Sequence, residues 1–162
     1  MSGYVFEARL TLARPRDEVF RFFADPSNLP LITPPEFHLV VDTDLVAIDA
    51  GSVLDFRTSW LAIPARWRTI IREFDPPHRF VDALVRGPLP RWEHRHMFVD
   101  DDGATRIEDR VTYQLPWGPL GDLVRAVYAR RKLHAVWEYR NRRLGELLGP
   151  VKRSATEAER PR

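Results

Sequence analysis

A chain of 162 residues, 44% hydrophobic and 30% charged, has the size and balance of one globular domain and not of a disordered segment. It contains no cysteine, which excludes disulfides, thiolate metal sites, iron–sulfur clusters and a cysteine nucleophile. Its 25 basic residues, all arginine except Lys132 and Lys152, exceed the 23 acidic ones by too little for nucleic-acid binding through bulk charge.

The N-terminus, MSGYVFEARLTL, alternates in polarity and lacks the continuous apolar stretch of a signal peptide. No apolar run approaches the roughly 20 residues of a transmembrane helix, so the expectation is a cytoplasmic protein without membrane insertion. Tyr4, Phe6 and Leu10 interleave with Glu7, Arg9 and Thr11 as in a strand. Pro15, Asp17 and Glu18 then suit the first turn of a helix whose apolar face is Val19, Phe22 and Phe23. Asp25-Pro26-Ser27-Asn28 stops it, and Leu29–Ile32 makes a second short turn before Pro34-Pro35.

From Phe37 the period changes. Residues 37–42, 52–60, 65–75, 79–86, 91–100 and 104–115 read as strands, punctuated by Gly51, Pro64, Pro76-Pro77, Gly87-Pro88 and Asp102-Gly103. Short connections between six strands predict an antiparallel meander. Pro119–Leu148 has no internal proline and carries Leu120, Leu123, Val124, Val127, Tyr128, Leu133, Trp137, Leu144, Leu147 and Leu148 at helical spacing, with Gly149 as its cap. A helix with such a stripe needs a sheet to cover it. Residues 1–149 are therefore expected to form one domain, and 150–162 a disordered tail.

Asp102-Gly103 is a two-residue hairpin loop, and it sets the register of the strands on either side. Phe98 then faces Ile107, His96 faces Asp109, His94 faces Val111 and Trp92 faces Tyr113, and this apolar face is the inward one. Two histidines and a carboxylate thus share the buried side of a sheet. A buried carboxylate requires a partner, most simply His96 for Asp109. An aspartate so placed sets the tautomer of the histidine and raises its basicity, which prepares it for acid–base work. The same pair also serves a structural role if it only fixes register. On the preceding strand, a three-residue turn at Pro88–Pro90 pairs Arg86 with Trp92 and brings Asp82 beside His96. The competing register points Val81, Ala83 and Val85 inward. His-x-His with Asp109 has the composition of a two-histidine, one-carboxylate metal set, but alternate strand residues point inward in any case, so no metal or other cofactor is assigned.

Several local sequences resemble the bacterial ligand-binding proteins of the START-related, helix-grip superfamily known as SRPBCC, which includes the birch-pollen allergen and polyketide cyclases. They are Phe22-Phe23-Ala24-Asp25-Pro26-Ser27-Asn28-Leu29, Thr33-Pro34-Pro35, Arg79-Phe80-Val81-Asp82, Gly87-Pro88, Trp92-x-His94-x-His96-x-Phe98 and Asp109-x-Val111-x-Tyr113. The resemblance spans about residues 3–148. It implies an α+β helix-grip fold: a seven-stranded antiparallel sheet wrapped around the long C-terminal helix, two short helices after the first strand, and an internal cavity. It also implies a hydrophobic or amphipathic small-molecule partner such as a lipid, polyketide or aromatic compound.

The expected ligand-binding residues are Trp92, His94, His96, Tyr113, Asp82, Trp67, Phe56, Leu84, Tyr128 and Trp137, with Trp60, Leu120 and Val124 as further candidates for the cavity wall. Three functions remain open on these residues. The first is binding for transport or sensing. The second is a cyclase- or dehydratase-type reaction with His96 and Asp109 as the catalytic pair. The third is a regulatory module whose basic helix, with Arg125, Arg130, Arg131, Lys132, Arg140, Arg142 and Arg143, meets a partner; the same residues are otherwise the solvated face of a packed helix. Phosphate-binding loops, a G-x-S-x-G elbow and nucleic-acid motifs are absent from the sequence.

Overall fold

The computed structural model describes residues 3–60, 63–116, 128–152 and 158–161. Strand β1 (Tyr4–Leu12) leads into helix α1 (Arg16–Ala24), a 3-10 segment at Pro26–Ile32 and a short 3-10 turn at Pro35–Phe37. Strands β2 (Val40–Val41), β3 (Val53–Trp60), β4 (Ile63–Asp75), β5 (Arg79–Arg86), β6 (Arg91–Asp101) and β7 (Ala104–Gln114) follow, and helix α2 (Arg130–Leu148) closes the domain. Two short strands, β8 (Val151–Lys152) and β9 (Ala158–Pro161), lie in the stretch expected to be a tail, and both pair with β1. The sheet order is β2-β3-β4-β5-β6-β7-β1-β8, antiparallel throughout, with β9 also on β1. Strands β1–β7 are the seven-stranded sheet that the resemblance implies, in an α+β helix-grip fold. Among the described residues no helix is long and apolar enough to cross a membrane.

The sequence explains why these segments form. In α1, Pro15 precedes the first turn, Asp17 and Glu18 lie at the positive end of the helix dipole, and Val19, Phe20 and Ala24 are buried at helical spacing. The Asp25 side chain accepts hydrogen bonds from the backbone N–H and the hydroxyl of Ser27, and starts the 3-10 segment. Asp102 (φ 52°) and Gly103 (φ 76°) both adopt the left-handed conformations of a tight hairpin turn, which Asp-Gly tolerates. The register they set is the expected one: Trp92 pairs with Tyr113, His94 with Val111, His96 with Asp109 and Phe98 with Ile107.

Three elements differ from expectation. The strand expected over 37–42 shrinks to Val40–Val41, because Pro34 and Pro35 start a 3-10 turn that ends with His38 in a left-handed conformation (φ 43°). Strand β4 begins before Pro64, the expected strand boundary. Pro64 is tolerated there because it pairs with Ser59 in a part of β4 that has only β3 beside it. The helix is described from Arg130, after a turn at Tyr128–Ala129; the earlier part of the run, with Leu120, Val124 and Arg125, lies outside the described residues, as does the side chain of Trp60.

The core has two parts. Around α1, Leu10, Leu12, Val19, Phe20, Ile71, Phe80, Phe98, Ile107 and Leu144 bury one another. Toward the other end of the sheet, Tyr4, Phe6, Ala8, Val111 and Tyr113 pack against Trp137 of α2. Full burial of each large side chain stabilises the fold by roughly 1.5–3 kcal/mol. The space between the two clusters holds a cavity.

Candidate functional site

The cavity measures about 480 Å³, within the range of small-molecule sites. One wall is aromatic. Phe56 of β3 stacks on Trp67 of β4 at 5.7 Å, Trp67 meets Trp92 of β6 edge to face at 6.2 Å, and Trp92 lies 6.4 Å from Tyr113 of β7. These residues share the inner face because strand side chains alternate, and β3–β4 and β6–β7 pair Phe56 with Trp67 and Trp92 with Tyr113. The Trp67 indole N–H donates to Thr58 Oγ1 at 3.0 Å, which orients the ring. Phe22, Phe23 and Ile32 from the α1 region, and Leu133 and Val136 from α2, line other sides.

The other wall is charged. Asp109 is 6% exposed, and its carboxylate accepts hydrogen bonds from His94 Nε2 (2.9 Å), Arg140 Nη2 (3.1 Å) and Trp137 Nε1 (3.4 Å). His96 Nδ1 approaches the same carboxylate at 3.0 Å but is not aligned for a hydrogen bond. The partner expected for Asp109 is His96, directly opposite; the aligned bond comes instead from His94, its diagonal neighbour, since long side chains reach diagonally across a strand pair. The two imidazoles are packed 3.7 Å apart, and His96 also stacks on Phe80 at 4.3 Å. On the far side of both rings stands Asp82, with Oδ2 3.4 Å from His96 Nε2 and 3.9 Å from His94 Nδ1.

Asp82 reaches this position through a register shifted from the expected one. It pairs with His94, and Phe80 pairs with His96. The β5–β6 ladder ends at Ala83 and Glu93, because Pro88 and Pro90 offer no N–H with which to continue it as a tight hairpin. A bulge in β5 at Val85, opposite Arg68 and Thr69, and one in β4 at Arg72, opposite Asp82 and Val81, shift the neighbouring register as well. The inward face of β5 is the one carrying Phe80 and Asp82, as the first of the two sequence registers has it. Val81 and Ala83 are buried on the other face, and Val85 is exposed.

Charge and burial divide the two histidines. Burial pushes His94 down, and the adjacent His96 adds to this, so that its pKa falls to about 4 despite the Asp109 bond. Burial also opposes a charge on His96, but contacts with Asp109 and Asp82 outweigh it and raise its pKa above the ordinary value. For Asp109, burial is outweighed by the Arg140 cation and by the contacts with both histidines, and the carboxyl titrates well below the usual range. Of the two rings, His96 therefore takes up an added proton more readily than His94.

Trp92, His94, His96, Tyr113, Asp82, Trp67, Phe56, Tyr128 and Trp137 all line the cavity. Asp109 does not line it but lies behind the histidines. Leu84 is not on the wall either; its Cδ1 sits 2.7 Å from where a side chain at Gly87 would begin. Arg140, expected on a solvated face, is 6% exposed, closes the site from α2 and packs its guanidinium over Phe23 and Trp137 at 5.1 and 5.3 Å. A signal for it is present: the apolar stripe runs from Trp137 to Leu144, and Arg140 occupies the intermediate helical turn. Other cations of α2 pair locally, Lys132 with Glu36 at 3.0 Å and both Arg142 and Arg143 with Glu146.

Among curated proteins none matches this chain. Solved structures do. A protein from Thermus thermophilus, TTHA0849, superposes with a TM-score of 0.68 at 19% identity, over 86% of this chain and 96% of its own. A START superfamily protein from Mycobacterium smegmatis gives 0.67 at 13% identity, over 89% and 99%. Ara h 8.0201 gives 0.59 at 15% identity, over 88% and 99%. These likenesses show the fold. Residues 12–140 match the family described as polyketide cyclase / dehydrase and lipid transport, and with a match over most of its length the chain belongs to that family, within the SRPBCC superfamily.

Proposed function

We propose that the cavity binds one hydrophobic or amphipathic small molecule, a lipid, polyketide or aromatic compound, for transport or sensing. The observation that carries this reading is the division of the walls: an aromatic surface on one side and a buried cluster of charged and histidine side chains on the other. A ligand that loses ~300 Å² of apolar surface to Phe56, Trp67, Trp92 and the α1 side chains gains roughly 7 kcal/mol before the cost of its lost freedom. The polar end of the ligand, a hydroxyl, carbonyl or carboxylate, lies at His96 Nε2, which donates to it. The family description, which names both cyclases and lipid transport, is consistent with such a ligand.

Native mass spectrometry followed by denaturing extraction tests the proposal. A copurifying apolar compound near one equivalent is expected. An apo mass, together with no thermal shift across fatty acids, phospholipids and polycyclic aromatics, would overturn it.

A second reading draws on the position of His96 between two carboxylates with Nε2 toward the cavity. In this reading a protonated His96 is the acid. In a dehydration it would give its proton to a departing hydroxyl while Asp82 takes the proton next to a carbonyl, producing water and an alkene. Conversion of a β-hydroxy carbonyl substrate that is lost in His96→Gln, with ligand still bound, distinguishes this from carriage alone.

A further inference from the structure

We infer that Asp82, His94 and His96 form a binding site for a first-row divalent transition metal, Zn²⁺ or Fe²⁺, on the charged wall of the cavity. The ligand atoms these three residues offer lie within 4.8 Å of one another. Asp82 Oδ2 stands 3.4 Å from His96 Nε2 and 3.9 Å from His94 Nδ1. Ligands at about 2.0–2.2 Å from a tetrahedral ion are separated by roughly 3.3 Å, so closing the site takes only small side-chain movements.

The supporting shell is in place. His94 Nε2 is hydrogen-bonded to Asp109 at 2.9 Å, which leaves Nδ1, 3.9 Å from Asp82, as the ring nitrogen that faces the site. His96 is oriented the same way, Nδ1 toward Asp109 and Nε2 toward Asp82. Metal-bound histidines ordinarily direct their second nitrogen to a carboxylate in this manner. Arg140 and Trp137 in turn hold Asp109. Two imidazoles and one carboxylate suit Zn²⁺ or Fe²⁺ better than Mg²⁺ or Ca²⁺. Three protein ligands leave positions open toward the cavity, where an anionic ligand oxygen would complete the coordination.

The site rests on the cavity wall but not on the identity of the organic ligand, and its test needs none. Protein dialysed against a chelator is titrated with Zn²⁺ by calorimetry and with Co²⁺ by visible absorption, with the histidine ring nitrogens followed by NMR. One equivalent should bind, perturbing both His94 and His96. Asp82→Asn, at a partly exposed position that leaves the core intact, should weaken binding by at least about tenfold, and His96→Gln should abolish it. If His96→Gln fails to fold, Asp82→Asn alone decides. The inference is overturned by absence of saturable binding up to millimolar metal, or by binding unchanged in Asp82→Asn, which would place the ion on other histidines. A copurifying apolar compound without metal affinity would overturn this inference and leave the cavity reading standing; metal binding without any organic ligand would do the reverse.

Discussion

The two walls of the cavity are built from the same strands by opposite means. On the aromatic wall, Phe56, Trp67 and Trp92 are half-buried and touch one another through ring faces and edges, so each contributes area with little dependence on the others. On the charged wall, Asp109, His94, His96 and Arg140 are almost fully buried, and each is tolerable only because the others are present. The difference teaches where mutations will be graded and where they will be abrupt. Loss of an aromatic group removes contact area; loss of one charged partner leaves another charge in the interior.

The largest effect should come from Arg140→Met. It strips Asp109 of its cation and is expected to lower stability by about 3–5 kcal/mol, measured by urea denaturation. Adding Asp109→Asn should recover part of that loss, whereas simple additivity in the double mutant would show that the two side chains do not act as a unit.

Next in size is the dependence on pH in the metal-free protein. His94, lowered to about 4 when folded, is neutral where an unfolded histidine is already charged, so stability should fall by on the order of 3 kcal/mol as pH drops from about 6.5 to 4. His96 acts in the opposite sense. Its raised pKa contributes stability that is fully present below about 6.5 and is lost as pH rises through its folded value. Asp109 adds stability that disappears only in stronger acid, as pH falls through its own depressed value. Stability should thus peak near pH 6.5, and ring-nitrogen NMR should find His96 charged and His94 neutral there. The reverse assignment would sink the division between them.

The smallest effect should be seen on the aromatic wall. Trp92→Ala is expected to weaken binding of an apolar probe by about tenfold, in line with ~1.4 kcal/mol of lost ring contact, with little change in fold stability. Tryptophan fluorescence titration of Trp92→Ala and Trp67→Ala would measure it. A collapse of stability in either variant would mean that this wall is core and not a binding surface.

The reach of the sequence can be judged element by element. The β6–β7 hairpin was legible down to its residue pairs, because Asp102-Gly103 leaves few alternatives for the turn and a one-residue slip would turn Phe98 and Ile107 outward. Helix α1 and most of the strands were legible from period, as was the placing of Phe56 and Trp67 on inward strand positions. The β5–β6 register was not, since Pro88 and Pro90 say that the ladder breaks without saying where pairing resumes.

What the sequence by itself determined, then, was the inward face: local turn chemistry and strand alternation place His94, His96, Asp109 and the aromatic residues on one side of a sheet. What only the tertiary structure decided was which of these groups share a proton or a bond. Asp82 reaches the histidines through a shifted register, His94 rather than His96 makes the aligned bond to Asp109, and Arg140 crosses from a helix 31 residues away in the chain to balance the charge. Those contacts depend on side-chain reach between elements distant in sequence, where no local rule sets the distance, and on the low dielectric interior that makes each partner indispensable to the next.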